Sequence, residues 1–303
     1  MAETKSGTDA SGKLMRRATL LAVITAGLLI TVKLAAWLMT DSVALLSSLV
    51  DSSLDACASV VTLFAVRQAL VPPDRDHRFG HGKAEPLAAL AQGAFIMGSA
   101  LFLVIESIRR LVNPQPTSQE GIGIAVMVFS IVVTLALVSY QAYAVRRTGS
   151  LAVEADSLHY RGDLLINVSI IASLVLGGWF GFTMADPLFA LGIAAYLIRT
   201  AGGIAWGALN ILMDRELPDD QRQAILEIAR RPAEVLGVHD LRTRSSGQHS
   251  FIQMHLELDG SMTLLRAHEV ADSVEAEIEL AFPGAEVIVH QDPHGIPDKP
   301  RPA

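Results

Sequence analysis

In the stretch SSLVDSSLDACASVV, Ser47 to Val61, two aspartates stand four residues apart inside a long apolar run. At 1.5 Å rise per residue, Asp51 and Asp55 share one helical face, about 6 Å apart along the axis. The stretch EADSLHYRGDLLIN repeats the spacing with His159 and Asp163. A carboxylate at the centre of a bilayer helix costs about 2.5–3.5 kcal/mol on insertion scales, so such residues mark function. Two helices facing each other would gather Asp51, Asp55, His159 and Asp163, three carboxylates and an imidazole. Four N and O ligands in a tetrahedral array suit Zn²⁺, whereas Mg²⁺ or Ca²⁺ favours oxygen alone. Cd²⁺, Fe²⁺, Co²⁺ and Mn²⁺ are tolerated by the same donors. Polar residues lining a helix interface would explain a lone aspartate, but they explain two matched pairs poorly. Asp156 and Arg161 fall on other faces of the same helix. Cys57, two residues past Asp55, points away from the pair and is expected to be a buried, inert thiol.

The ligand set also implies coupling. Three ionised carboxylates in a low-dielectric cleft repel one another, so an empty site holds protons. Metal entry needs deprotonated ligands and releases those protons. Exchange of one metal ion for protons therefore follows from the donors, and a proton gradient can drive metal outward if the site opens to each side in turn. The chain contains no G-x-x-x-x-G-K-[ST], which argues against a nucleotide as energy source. It also lacks H-E-x-x-H, the usual helix motif of a metal site with its general base, so an intramembrane metalloenzyme is not expected. The alternative from another class is a membrane-anchored metal sensor without transport, which leaves the buried carboxylates without a use.

The elements that must position these residues are membrane helices. The chain has 303 residues, 51% hydrophobic and only 18% charged, with a mean hydropathy of +0.40. Soluble domains are about a quarter charged. Six segments reach the roughly 20 apolar residues a span needs: 15–39, 43–70, 85–111, 120–145, 151–181 and 185–213. Lys13, Arg16 and Arg17 precede the first span, Arg67, Arg75, Arg78 and Lys83 follow the second, and Arg146 and Arg147 follow the fourth. This distribution of basic residues places both termini in the cytoplasm, with Arg109 and Arg110 as the exception. The first apolar segment has no small-residue cleavage site and is expected to be a retained span. The net charge of −7 gives no support to a nucleic-acid partner, and a single cysteine excludes an internal disulfide.

The expected organisation is a polar, disordered tail (1–12), a six-span all-α transmembrane domain (13–213), a cytoplasmic α/β domain (214–295) and a disordered C-terminal tail (296–303). In the cytoplasmic domain, residues 218–231 form an amphipathic helix that Pro232 ends. FIQMHLEL alternates, with Ile252, Met254, Leu256 and Leu258 on one face, as a half-buried strand does. It pairs with 238–244 across a Ser-Ser-Gly turn, and a long helix and a third strand, EVIVHQD, follow. The order αββαβ predicts a ferredoxin-like sandwich with one open face.

Histidines mark two further places. Asp74, His77 and His81 form D-x₂-H-x₃-H in the loop after span two, either a second metal site or a solvated basic loop. In the tail, His239, His255, His268, His290 and Asp292 suggest a binuclear site at a subunit interface, with Asp292 as a bridge. His268 also fits the apolar stripe of its helix beside Leu264 and Ala271, as a packed core residue. His249 is expected to be solvated in a turn, and His294 is near enough to Asp292 to join it.

LVDSSLD, HRFGHGKAEPLAALAQ, ADSLHYRGD, GVHDLRTRSSG and VIVHQDP together resemble the cation diffusion facilitator family, in particular its bacterial zinc and ferrous-iron efflux branch, over residues 13–295. The resemblance implies a homodimer in the cytoplasmic (inner) membrane that exchanges Zn²⁺ for H⁺ by alternating access, with no organic cofactor. It carries the transport, loop and binuclear sites onto the residues named above. It also pairs Lys83 with Asp214 to hold two protomers together, and has tail-bound metal tighten the dimer as cytosolic zinc rises. The chain departs from the family pattern at His294, where an apolar or sulfur residue is usual after HQDP.

Overall fold

The computed structural model describes residues 2–112, 121–180 and 184–295. It divides into two compact units, one spanning Ala10–Leu209 and the other made of the residues up to Asp9 together with those from Asn210 onward. The tail 296–303 lies outside the described residues.

Six long helices make up the first part of the chain: α1 (Ala2–Thr40), α2 (Val43–Ala69), α3 (Ala84–Val112), α4 (Gly121–Thr148), α5 (Leu151–Phe180) and α6 (Ala185–Leu212). In hydrocarbon every backbone N–H and C=O must be satisfied within the segment, which favours uninterrupted helices. A 28-residue helix such as α4 is about 42 Å long, more than the roughly 30 Å hydrocarbon core requires. Five of the six are long and apolar enough to cross a membrane: Ala10–Thr40, Leu45–Ala69, Ala84–Val112, Gly121–Thr148 and Ala185–Leu212. The remaining helix, α5, is 30 residues long but carries Glu154, Asp156, Arg161 and Asp163 in its first half. α1 begins at Ala2, inside the stretch 1–12 expected to be a polar tail. Extending an existing helix adds one hydrogen bond per residue fixed, whereas starting one is costly.

Small side chains let the helices approach closely, as lipid-embedded packing requires. Ala89 and Ala100 of α3, Ala155 of α5 and Ala194, Ala201 and Ala208 of α6 form one buried seam with Ile96, Leu158, Leu197 and Ile204. Arg109 and Arg110, the exceptions to the basic-loop pattern, are matched by carboxylates. Arg109 Nε lies 2.9 Å from Glu106, and Arg110 pairs with Glu106 at 2.9 Å and with Asp186 at 3.0 Å.

The second unit has the order α7 (Asp219–Ala229), β1 (Gly237–Ser246), β2 (His249–Leu258), α8 (Leu264–Ala281) and β3 (Ala285–Pro293). The sheet order is β1-β2-β3, with β1 and β2 antiparallel and β2 and β3 parallel. Gly247, at φ +62°, makes the turn between β1 and β2. Thr263 caps α8, its side chain accepting from the Arg266 N–H. Ile252, Met254 and Leu256 of β2 are at most 1% exposed and pack with Ile225 and Ile228 of α7 and Val274 and Ile278 of α8. One face of the sheet is thus spent on the core. Because side chains alternate along a strand, His255 and Glu257 are left on the other face.

Candidate metal centres

In the helical unit, α2 packs against α3 and α5, and α5 against α3 and α4. This arrangement turns the two i, i+4 pairs toward one another. His159 Nε2 lies 2.8 Å from Asp55 Oδ1 and 3.8 Å from Asp163 Oδ2. One ligand atom from each of Asp55, His159 and Asp163 lies within 4.8 Å of the others. Asp55 and His159 are buried. Asp51 is not part of this compact trio, but it lines the same cavity, about 600 Å³ in volume, with Asp55, Phe95, His159 and Asp163. The trio offers two carboxylates and one imidazole from two helices, with a third carboxylate on the cavity wall.

Behind the trio is a second polar cluster, on a face that the spacing argument set aside. Asp156, fully buried, accepts from Ser59 Oγ at 2.9 Å and from Gln141 Nε2 at 2.7 Å. Ser59 Oγ also lies 2.9 Å from the Tyr160 hydroxyl. These bonds join α2, α4 and α5 and leave neither oxygen of Asp156 without a donor. Cys57, expected to be buried, is exposed on α2, on the side turned away from the ligand pair.

In the loop, Asp74 Oδ1 accepts from the Asp76 N–H at 2.9 Å and the His77 N–H at 2.7 Å, closing an Asx turn. The His77 backbone N–H is also the chief reason its carboxyl sits below the usual aspartate range. His77 Nδ1 is 3.4 Å and His81 Nε2 3.3 Å from this carboxylate, and the two rings lie 4.5 Å apart. All three predicted loop residues therefore converge, and the buried Nδ1 of His81 has no hydrogen-bond partner among the described residues.

In the tail, strand register assembles the site. His239 pairs with His255 across β1 and β2, and His255 with His290 across β2 and β3. Asp292 is on β3 beside Glu257, in the row next to the histidines. Asp292 Oδ2 lies 2.6 Å from His255 Nδ1 and 3.5 Å from His239 Nε2, while its Oδ1 is 3.2 Å from His290 Nε2. The two oxygens thus face different imidazoles, and His239, His255 and Asp292 together could hold a metal ion. His268 is not brought to this cluster within one chain. Its side chain, 64% exposed on α8, is 3.3 Å from Asp272, so the packed-core alternative is corrected. The helix buries Val270, Ala271, Val274 and Ile278, and that stripe leaves His268 outside it.

Two carboxylates that the sequence reading omitted belong to this neighbourhood. Asp240 Oδ2 is 3.6 Å from His255 Nε2, turned there by a register shift between His239 and Arg242. Glu257 lies 3.1 Å from His239 Nδ1 and 2.7 Å from His294 Nδ1. His294 therefore contacts Glu257, with His239 beyond it. His249 begins β2 and is exposed. Lys83 and Asp214 fall in different units, and Asp214 lies 3.6 Å from Arg244 within its own.

Helices of membrane-spanning length, a helix-borne cluster of aspartates and a histidine that could hold a metal ion, and an α/β tail define a multi-pass membrane protein of the metal-handling class. A family model described as the cation efflux transmembrane domain matches residues 19–213, and one described as the cytoplasmic domain of cation efflux proteins matches 217–294. The chain belongs to this cation efflux family, the cation diffusion facilitators, which are transporters rather than enzymes. Among its relatives, the cation-efflux pump FieF of Escherichia fergusonii is 50% identical over 285 residues, covering 94% of this chain and 95% of its own. The FieF pump of Yersinia enterocolitica is 47% identical over 291 residues, covering 96% and 97%. Among solved structures, the metal-bound C-terminal domain of the CzcD transporter from Thermotoga maritima is 30% identical, covering 26% of this chain and 93% of its own, with a TM-score of 0.25.

Proposed function

We propose that the protein exports divalent metal cations from the cytoplasm in exchange for protons, with Zn²⁺ as the substrate its donors suit best. The observation that carries this reading is the convergence of Asp55, His159 and Asp163 from two helices, with Asp51 on the wall of the same cavity. Ionisable residues buried in a membrane unit mark ion or proton pathways, and a carboxylate–imidazole set is suited to hold a cation in transit. Its ligands take protons when metal leaves and release them when metal enters. A change of access between the two sides of the membrane then makes the exchange vectorial. Cd²⁺ and Fe²⁺ are further substrates compatible with the same donors.

In this reading α5 is the sixth span, its charged first half shielded by α2, α3 and α4, and both termini face the cytoplasm. Two copies form a dimer in the inner membrane, with Lys83 pairing with Asp214 between them. The tail is a ferredoxin-like domain, and the sheet cluster His239, His255, His290 and Asp292 takes regulatory Zn²⁺, joined by His268 at the subunit interface. Asp74, His77 and His81 hold a third ion in the loop.

The test is Zn²⁺ flux in proteoliposomes under an imposed pH gradient, wild type beside Asp55→Ala. Gradient-driven zinc movement in the wild type, lost in the variant, is expected. A folded protein that binds zinc but shows no gradient-dependent flux would overturn antiport in favour of a membrane-anchored metal sensor.

A further inference from the structure

A lysine stands beside the ligand cluster in a segment where a charge is expensive. Lys33 belongs to α1, within the apolar stretch Ala10–Thr40. Its Nζ donates to Ser52 Oγ at 2.6 Å and to the Ser48 carbonyl at 3.3 Å. Ser48, Asp51, Ser52 and Asp55 stand at i, i+3, i+4 and i+7, a single stripe of α2. The ammonium is therefore anchored on the face that carries two of the ligands, and Ser52 is only 4% exposed. The acidic groups whose charge acts on it are Asp163 on α5 and Asp55 and Asp51 on α2. An ionisable side chain at such a depth calls for a functional explanation, and hydrogen bonds to one serine and one carbonyl do not require an ammonium.

We propose that Lys33 is a resident cation of the transport site, a fixed positive charge that partly balances the carboxylates when metal is absent and opposes the metal when it is bound. The inference rests on the reading of Asp51, Asp55, His159 and Asp163 as the transport ligands. An exporter must let its ion go as well as capture it. A like charge beside three carboxylates and an imidazole weakens their hold on a divalent ion, and in the empty cleft it shares with bound protons the balancing of the carboxylates. A tethered ammonium does both. It repels the bound ion over a short, partly desolvated distance, and it screens the carboxylates once the ion has gone. Lys33 does not ligate the metal, since an ammonium has no lone pair to offer.

The test uses full-length protein purified in detergent, in an Asp74→Ala, His255→Ala background so that zinc titration reports on the membrane site. Lys33→Met is expected to bind Zn²⁺ on the order of tenfold more tightly or better, because a like charge has been removed from low dielectric. Its melting temperature should fall in the metal-free protein and recover with Zn²⁺, giving a larger zinc-induced shift than the parent. Lys33→Arg keeps the charge and should stay near parental affinity. If Lys33 only links α1 to α2, Lys33→Met will lower the melting temperature equally with and without zinc and leave affinity unchanged or weaker, which overturns the proposal. Asp55→Ala in the same background separates the two readings. Undiminished zinc binding there sinks the ligand assignment itself, whereas lost binding there with unchanged affinity in Lys33→Met sinks only the role of Lys33. Should Lys33→Met not fold even with zinc, Lys33→Gln, which retains a donor for Ser52, is read by the same criteria.

Discussion

Asp51 and Asp55 are chemically identical and one helical turn apart, yet the fold treats them differently. Asp55 is 8% exposed and in contact with His159, whereas Asp51 is exposed on the cavity wall. Zinc titration of single variants should therefore show the larger affinity loss for Asp55→Ala, beyond the roughly 10–100-fold that removing an outer partner costs. Equal losses would mean that the binding conformation draws Asp51 fully into the trio. In the tail, Gly237 lies opposite Glu257, and a Cβ at 237 would come within 2.8 Å of the Glu257 carboxyl carbon. The atom displaced is the end of a flexible side chain, so Gly237→Ala should change unfolding free energy by no more than about 1 kcal/mol, since losing a strand glycine itself favours the fold. Displaced from His239 and His294, however, Glu257 could no longer orient the imidazole behind a metal. Zinc affinity of the tail is expected to fall about 10–100-fold. Unchanged affinity with a displaced carboxylate would remove Glu257 from the site's support.

Among the helices, the pairing that matters is α2 with α5, and besides the Asp55–His159 contact it is held by Asp156. Ser59 of α2 and Gln141 of α4 both donate to Asp156 of α5. Asp156→Ala would leave buried donors without an acceptor at about 1–3 kcal/mol each. A clear drop in melting temperature in detergent is expected, with Asp156→Asn milder because one acceptor oxygen remains. A variant as stable as wild type would show that the network is not what holds α2 against α5. Strand pairing does the corresponding work in the tail. Register alone aligns His239, His255 and His290 across three strands, and a shift of one residue would send each histidine into the core.

For the whole molecule, His268 is the informative residue. It is exposed on α8 beside Asp272 and is not among the residues that converge with His239, His255 and Asp292, so the proposed role for it is at an interface between copies. Sedimentation of the full-length protein should show a tighter dimer with Zn²⁺ than with a chelator. His268→Ala should remove much of that difference while leaving zinc binding by His239, His255 and Asp292 largely intact. A zinc-dependent dimer that ignores His268→Ala would place the interface elsewhere.

Much of this was legible in the sequence because two short periods carry it. Four-residue spacing inside apolar runs marked the pairs Asp51 with Asp55 and His159 with Asp163, and two-residue alternation in FIQMHLEL separated the core face from the face that carries His255, since helix and strand geometry convert spacing directly into direction. Length and hydropathy gave the long helices for the same local reason. What local period cannot express is the meeting of distant segments. Lys33 reaching Ser52, Asp156 collecting donors from α2 and α4, and Glu257 lying over Gly237 between His239 and His294 all depend on which elements pack together and in what register. Their partners lie up to 97 residues away, and only the tertiary structure brings side chains so distant in sequence within hydrogen-bonding reach.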